Sequence, residues 1–120
     1  MIQVRQVWRT RYPWLAGDAY FGSWSLSHQI PPEQLDNIKQ CEFVWVSHGH
    51  PDHLDVPSLK SLQGKKILIP DHVGSRIAQD LRDLQFDVTV LQDRVWLPLS
   101  PRIKILSIAD YNQDGLLLID

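Results

Sequence analysis

A short apolar strand that runs directly into a cluster of histidines and aspartates constrains this chain more than any other feature. Residues 42–47 (EFVWVS) include β-branched and aromatic side chains, which is typical of a buried strand. The segment that follows, SHGHPDHLD, holds three of the chain's five histidines and two aspartates. Ligands of α/β sheets gather at the carboxyl ends of the strands. The pattern therefore predicts an α/β fold with a functional site where this strand ends.

Strands alternate with helices along the rest of the chain, and this alternation predicts a sheet with helices packed on it. Residues 12–32, rich in aromatics, Gly, Ser and Pro, predict a long loop that shapes a pocket, with His28 as a candidate lining residue. We expect helices over residues 32–39, 56–62 and 72–84, the last capped by Asp71. We expect strands over residues 3–8, 42–47, 66–70, 86–91, 103–108 and 116–119.

Composition and charge exclude several classes of protein. The chain has 120 residues, 43% of them hydrophobic and 22% charged, which predicts one small domain with a packed core. A net charge of −2 argues against binding nucleic acid by bulk electrostatics. No apolar run has the length of a membrane helix and the first residues lack a signal-peptide core, so we expect a cytoplasmic protein. The single cysteine, Cys41, is expected to be an inert, half-buried thiol.

The cluster has the spacing His48-x-His50-x-Asp52-His53, and its side chains suit zinc, iron or manganese. On a tight loop, the first two histidines can point to one side while Asp52 and His53 point to the other. That geometry offers half of each of two neighbouring metal sites. Two metals about 3.5–4 Å apart can hold a bridging hydroxide, which is a strong nucleophile at neutral pH.

Two other polar residues near strand ends have structural interpretations. Asp55 follows the cluster at the expected start of a helix, where capping or solvation is expected rather than metal ligation. His72 follows the expected cap Asp71, and we expect it to have a structural or solvent-facing role.

The stretch VWVSHGHPDHLD resembles the metal-binding signature of the metallo-β-lactamase fold, whose hydrolases carry His-x-His-x-Asp-His at the end of a buried strand. The preceding segment, YPWLAGDAYFGSWSL, is similar to the one found before this motif in one branch of the fold. That branch contains the CMP-N-acetylneuraminate hydroxylase-like and lactonase-like proteins. The resemblance implies part of an αββα sandwich, a mixed sheet with helices packed on it. It also implies that residues 1–120 are a single incomplete domain, without the N-terminal strands and the C-terminal half of the fold.

By this resemblance, His48 and His50 serve one metal, while Asp52 and His53 serve the other. The expected metal is zinc, two ions per complete site, with iron and manganese as alternatives. Asp52 is also the candidate catalytic residue, because it would orient the nucleophile. No further cofactor is implied.

Members of the fold complete the two sites with a third histidine, a bridging aspartate and a last histidine. No histidine follows His72 in this chain. The segment SIADYNQDG stands where the third ligand is expected, and Asp110 is the candidate replacement, ahead of Asn112 and Asp114. A polar turn between strands is the alternative interpretation. Asp120 is a weaker candidate for the bridging aspartate.

The resemblance implies a metal-dependent hydrolase in which a metal-bound hydroxide attacks an ester, lactone or phosphoester. The alternative is a truncated, non-catalytic remnant or interaction protein that keeps half of the metal site, so whether the chain is an enzyme depends on completion of that site. Missing strands would leave an exposed sheet edge and an uncovered apolar face. We therefore expect either a homo-oligomer that covers this surface or a truncated gene product. The expected ligand is a small-molecule substrate of unknown identity, with neither nucleic acid nor membrane as a partner.

Overall fold

A computed structural model of the chain describes residues 18–19, 24–25, 29–48, 55–72, 76–109 and 115–120. Strands and helices alternate through most of these ranges. Their order is β1 (Asp18–Ala19), β2 (Trp24–Ser25), α1 (Pro32–Lys39), β3 (Phe43–Trp45), α2 (Val56–Lys60), β4 (Lys66–Pro70), α3 (Arg76–Asp83), β5 (Asp87–Leu91), β6 (Trp96–Ser100), β7 (Ile103–Ala109) and β8 (Gly115–Ile119). None of the helices in these ranges is long and apolar enough to cross a membrane.

The longer strands form two sheets with different pairing. β3, β4 and β5 form a parallel sheet with β4 in the centre, while β6, β7 and β8 form an antiparallel sheet with β7 in the centre. β1 and β2 pair separately as a short antiparallel ladder. Parallel neighbours need a crossover connection, and α2 and α3 supply it between β3, β4 and β5. The structure therefore confirms the α/β fold class, with parallel and antiparallel pairing in separate sheets.

One face of the parallel sheet packs against the helices. One buried cluster joins the sheet to the helices. It contains Val44 of β3, Val46 just after β3, Ile67 of β4, Leu59 of α2 and Leu81 of α3. All five are at most 2% exposed. Because side chains alternate along a strand, the residues between them must face the opposite side.

The opposite face of the parallel sheet packs against the antiparallel sheet. Trp45, Leu68 and Leu91 form a second buried cluster with Ile105 of β7, against which Leu117 of β8 also packs. Helices, parallel sheet and antiparallel sheet thus form three layers with two apolar cores. This layering explains why residues 42–47 read as a continuous apolar run, since both faces of β3 are buried.

The second face of the antiparallel sheet is apolar and exposed. Register places Trp96, Leu106 and Leu118 in one row across the three strands, and Ile108 beside Leu116 in the next. Trp96, Leu116 and Leu118 are 43%, 56% and 41% exposed. We call these five residues the outer apolar face. The exposed apolar surface that the sequence predicts is therefore present on this sheet.

Strand β6 was not expected from the sequence, because Pro98 lies at its centre and proline cannot donate to a ladder. The structure accommodates Pro98 because β6 is an edge strand of its sheet, and its register with β7 shifts between Pro98 and Ser100. The long loop expected over residues 12–32 contains the β1–β2 pair, which is a second correction.

Several element ends differ from expectation. α2 ends at Lys60 and is followed by turns to Gly64, so the helix is two residues shorter than expected. α3 is described from Arg76, and Asp71 and His72 are not helical. Cys41 is 2% exposed, so the thiol is fully buried rather than half-buried. The strand expected over residues 3–8 lies outside the described residues.

Candidate metal centre

The carboxyl edge of the parallel sheet is where the described part of the histidine cluster lies. Beyond the last residue of β3, the N–H of Val46 donates to the carbonyl of Leu68 at 3.0 Å, which continues the ladder. Ser47 follows and is 8% exposed, and His48 is half-buried. The strand hydrogen bonds therefore carry His48 to the sheet edge, where the sequence predicts it.

The ring of His48 is held by its neighbour. Ser47 Oγ lies 2.8 Å from His48 Nδ1, within hydrogen-bonding distance. When Nδ1 carries the ring proton it donates to Ser47, and Nε2 keeps the lone pair that a metal requires. Metal-ligating histidines almost always have such a partner on the second nitrogen. His48 therefore fits a metal ligand, and Ser47, which the sequence analysis did not single out, is its hydrogen-bond partner.

The remaining residues of the predicted ligand set, His50, Asp52, His53 and Asp110, lie outside the described residues, as does His28. Within the ranges that are described, no three His, Cys, Asp or Glu side chains group together as a metal site. The full ligand set therefore stays a prediction.

A close contact brings the end of the antiparallel sheet to the same edge. A Cβ at Gly115, the first residue of β8, would overlap Cγ of Pro70 and lie 3.4 Å from the Ser47 carbonyl oxygen. Gly115 pairs with Ala109, the last residue of β7. Ala109 and Gly115, the described residues on either side of the segment 110–114, therefore lie beside the residue that precedes His48. This position of the segment's flanks supports Asp110 as a ligand candidate.

Asp93 fixes the backbone immediately before Asp110. Its Oδ1 accepts a hydrogen bond from the N–H of Ala109 at 2.8 Å. The next residue, Arg94, donates its N–H to the Ser107 carbonyl at 2.7 Å and places its side chain 3.3 Å from the Asp93 carboxylate. Asp93 is a second residue that the sequence reasoning missed. Its only sequence signal is an aspartate in a polar turn after a strand.

Asp55 caps α2, as expected. Its Oδ2 accepts a hydrogen bond from the N–H of Ser58 at 3.0 Å, which satisfies one of the free donors of the first turn. This bond uses one carboxylate oxygen for the helix. The capping interpretation is therefore confirmed.

Of the two other residues considered near the site, His72 lies at the same sheet edge as His48, whereas Asp120 does not. Asp120 lies at the far end of β8 from Gly115, and its carboxylate is 3.2 Å from Lys104 Nζ. A five-residue strand spans roughly 17 Å, so Asp120 lies far from the sheet edge where Gly115 meets Ser47. His72 follows β4 and donates its N–H to the Pro70 carbonyl at 3.0 Å, so it lies at the same sheet edge as the cluster.

Comparison with known proteins identifies a family and several relatives that this chain resembles in sequence. Residues 14–106 match the sequence model of a family described as a beta-lactamase superfamily domain. The chain is 41% identical over 63 residues to the inactive cytidine monophosphate-N-acetylneuraminic acid hydroxylase of Homo sapiens, covering 52% of this chain and 13% of that protein. It is 41% identical over 63 residues to the corresponding hydroxylase of Pongo pygmaeus, covering 52% of the chain and 11% of the relative. The Danio rerio hydroxylase is 40% identical over 63 residues, with 52% and 11% coverage. The matched region thus spans a small part of each of these relatives.

Proposed function

Because the chain belongs to the beta-lactamase superfamily domain family, we propose that it is a metal-dependent hydrolase of the metallo-β-lactamase fold. The proposed substrates are small esters, lactones or phosphoesters. The observation that carries the proposal is the placement of His48 at the carboxyl edge of the parallel sheet with its Nδ1 at 2.8 Å from Ser47 Oγ. The second ring nitrogen of a metal-ligating histidine is almost always held by a hydrogen-bond partner, and Ser47 supplies such a partner here.

The proposed roles follow the spacing of the cluster. His48 and His50 would hold one metal, while Asp52 and His53 would hold the second. Zinc fits this set of imidazole and carboxylate donors, as do iron and manganese. When bound, such ions supply Lewis-acid activation of water and so a nucleophile at neutral pH.

The chain's own residues position this site. Ser47 sets the ring orientation of His48, and Asp52 is proposed to orient the attacking water. Asp110 is proposed as the ligand that replaces the third histidine. Its placement is supported by Ala109, which Asp93 holds at 2.8 Å, and by the contact of Gly115 with Pro70 at the sheet edge.

A second candidate function is oxidation of a substrate. The observation in its favour is that the relatives that match at 40–41% identity are named hydroxylases. The same donor set accepts iron, so the two candidates share a site and differ in the reaction. The third candidate is that the chain is a non-catalytic protein that keeps half of the metal site.

The test is metal content together with hydrolysis. Protein purified without chelator would be examined by native mass spectrometry and elemental analysis, as wild type and as His48→Ala. It would then be assayed with p-nitrophenyl acetate, a γ-lactone and bis(p-nitrophenyl) phosphate. We expect bound metal and turnover of at least one substrate, both lost in His48→Ala.

The matched control is His72→Ala, which removes a histidine outside the proposed ligand set and is expected to keep the metal. Hydrolysis at the same rate in wild type and His48→Ala would overturn the proposal. Bound iron with oxygen consumption and no hydrolysis would favour the second candidate. Absence of metal from the wild type would indicate the non-catalytic protein.

A further inference from the structure

A small pocket lies between the two sheets. It opens where β5, at the edge of the parallel sheet, faces β6 and β7 of the antiparallel sheet, and its volume is about 190 Å³. Its apolar wall includes Leu91 of β5, Leu97 of β6 and Ile105 of β7. We call this the inter-sheet pocket.

A buried hydroxyl lines the inter-sheet pocket. Ser107 of β7 is 1% exposed, and its Oγ makes no hydrogen bond with any group in the described part of the chain. Its carbonyl oxygen already accepts from the N–H of Arg94 at 2.7 Å, so the backbone is satisfied while the side chain is not. Buried polar groups are nearly always hydrogen-bonded. We therefore expect a ligand in the pocket to place a polar atom within hydrogen-bonding distance of Ser107 Oγ.

The mouth of the inter-sheet pocket is apolar and accessible. Val95 and Leu97 line it and are 46% and 39% exposed. Exposed apolar groups around a recess favour a ligand that removes them from water. A cavity of about 150 Å³ lined by apolar side chains is large enough to bind benzene, so a single ring fits a recess of this size.

We propose that the inter-sheet pocket binds a small aromatic or cyclic apolar group bearing one hydroxyl or carbonyl, which hydrogen-bonds to Ser107 Oγ. The ring packs against Leu91, Leu97 and Ile105, and the polar atom meets the hydroxyl of Ser107. Thr89 and Gln92, the other polar lining residues, leave room for a second polar substituent at the rim. None of its lining residues belongs to the His48–His53 cluster, so the proposal does not require the metal chemistry proposed above.

The test compares phenol with toluene, two probes of similar size that differ in one hydroxyl. Each is titrated into the full chain with labelled methyl groups, and the shifts of Ile105 and Leu97 report occupancy. We expect phenol to bind more tightly than toluene. In Ser107→Ala, phenol affinity should fall about 2- to 10-fold, the net value of one hydrogen bond, while toluene affinity stays the same or rises.

Two controls keep the result interpretable. Ser100→Ala removes a hydroxyl from the same sheet outside the pocket and should leave both affinities unchanged. Ser107→Leu fills the pocket and should abolish binding of both probes. Addition of a chelator should change neither affinity, which separates this proposal from the metal centre.

Two results would overturn the proposal. One is the failure of both probes to shift Ile105 in the wild type, which would mean that the space holds only water. The other is an equal preference for phenol over toluene in wild type and Ser107→Ala, which would mean that the hydroxyl does not contact the ligand.

Discussion

Replacement of Gly115 by alanine tests the contact that joins the two sheets at the proposed metal centre. The new Cβ would overlap Cγ of Pro70 and lie 3.2 Å from its Cβ and 3.4 Å from the Ser47 carbonyl oxygen. Pro70 cannot give way, because its ring is rigid, it is less than 2% exposed, and it lies in the central strand of the parallel sheet. β8 must therefore move away from β3 and β4.

The magnitude follows from two opposing effects. Overpacking of this kind costs about 1–3 kcal/mol. Loss of glycine from the unfolded chain returns about 0.4–1 kcal/mol. We therefore expect a net loss of about 1–2 kcal/mol in the free energy of unfolding, or a fall of about 4–8 °C in Tm for a domain of this size.

The assay is thermal unfolding of Gly115→Ala, Pro70→Ala and the double variant. Removal of the Pro70 ring should relieve the overlap, so the two substitutions should couple by about 1 kcal/mol or more in a double-mutant cycle. Additive effects, or a Tm for Gly115→Ala at or above the wild-type value, would refute the reasoning.

Metal affinity separates the local effect from general destabilisation. Gly115→Ala should also weaken metal binding, because β8 directly follows the segment 110–114, which contains the proposed ligand Asp110. Gly64→Ala is the matched control: φ there is 87° and no atom lies within 4 Å of the new Cβ, so it strains the backbone without touching the sheet edge. We expect Gly64→Ala to lose stability and keep metal affinity. Equal losses of affinity in the two variants would show that the contact at Gly115 has no specific role.

Three further predictions concern single residues. Ser47→Ala removes the partner of His48 Nδ1 and should weaken zinc binding about 10- to 100-fold in competition with a chromophoric chelator; an unchanged affinity would mean that Ser47 does not orient the ring. Asp55→Ala should lower the free energy of unfolding in urea by about 1 kcal/mol through loss of the cap, with metal content unchanged; loss of metal would instead make Asp55 a ligand. Since the outer apolar face is exposed, we expect a second copy of the chain to cover it, and Leu118→Lys should shift sedimentation toward the monomer; a monomeric wild type would contradict this.

The sequence alone was sufficient for the fold class, for most elements and for the position of His48. α1 and β4 lie at their expected bounds, and His48, the first residue of the cluster, follows a buried strand as predicted. These features depend on short-range patterns: the period of apolar residues, proline at the start of a helix, and a capping aspartate. The order of residues is enough to specify them, because each arises within one or two turns or along one strand.

Contacts between distant segments decided the rest. Pro98 argues against a strand until β6 is placed at a sheet edge, and Asp93 is an ordinary turn residue until its carboxylate meets Ala109. Gly115 is restricted only because it lies beside Pro70, and Ser107 is buried only because the two sheets close over it. In each case the partner lies on another element, and packing in three dimensions determines which side chains meet. The local pattern predicts what each segment forms, whereas only the tertiary structure determines which atoms it contacts.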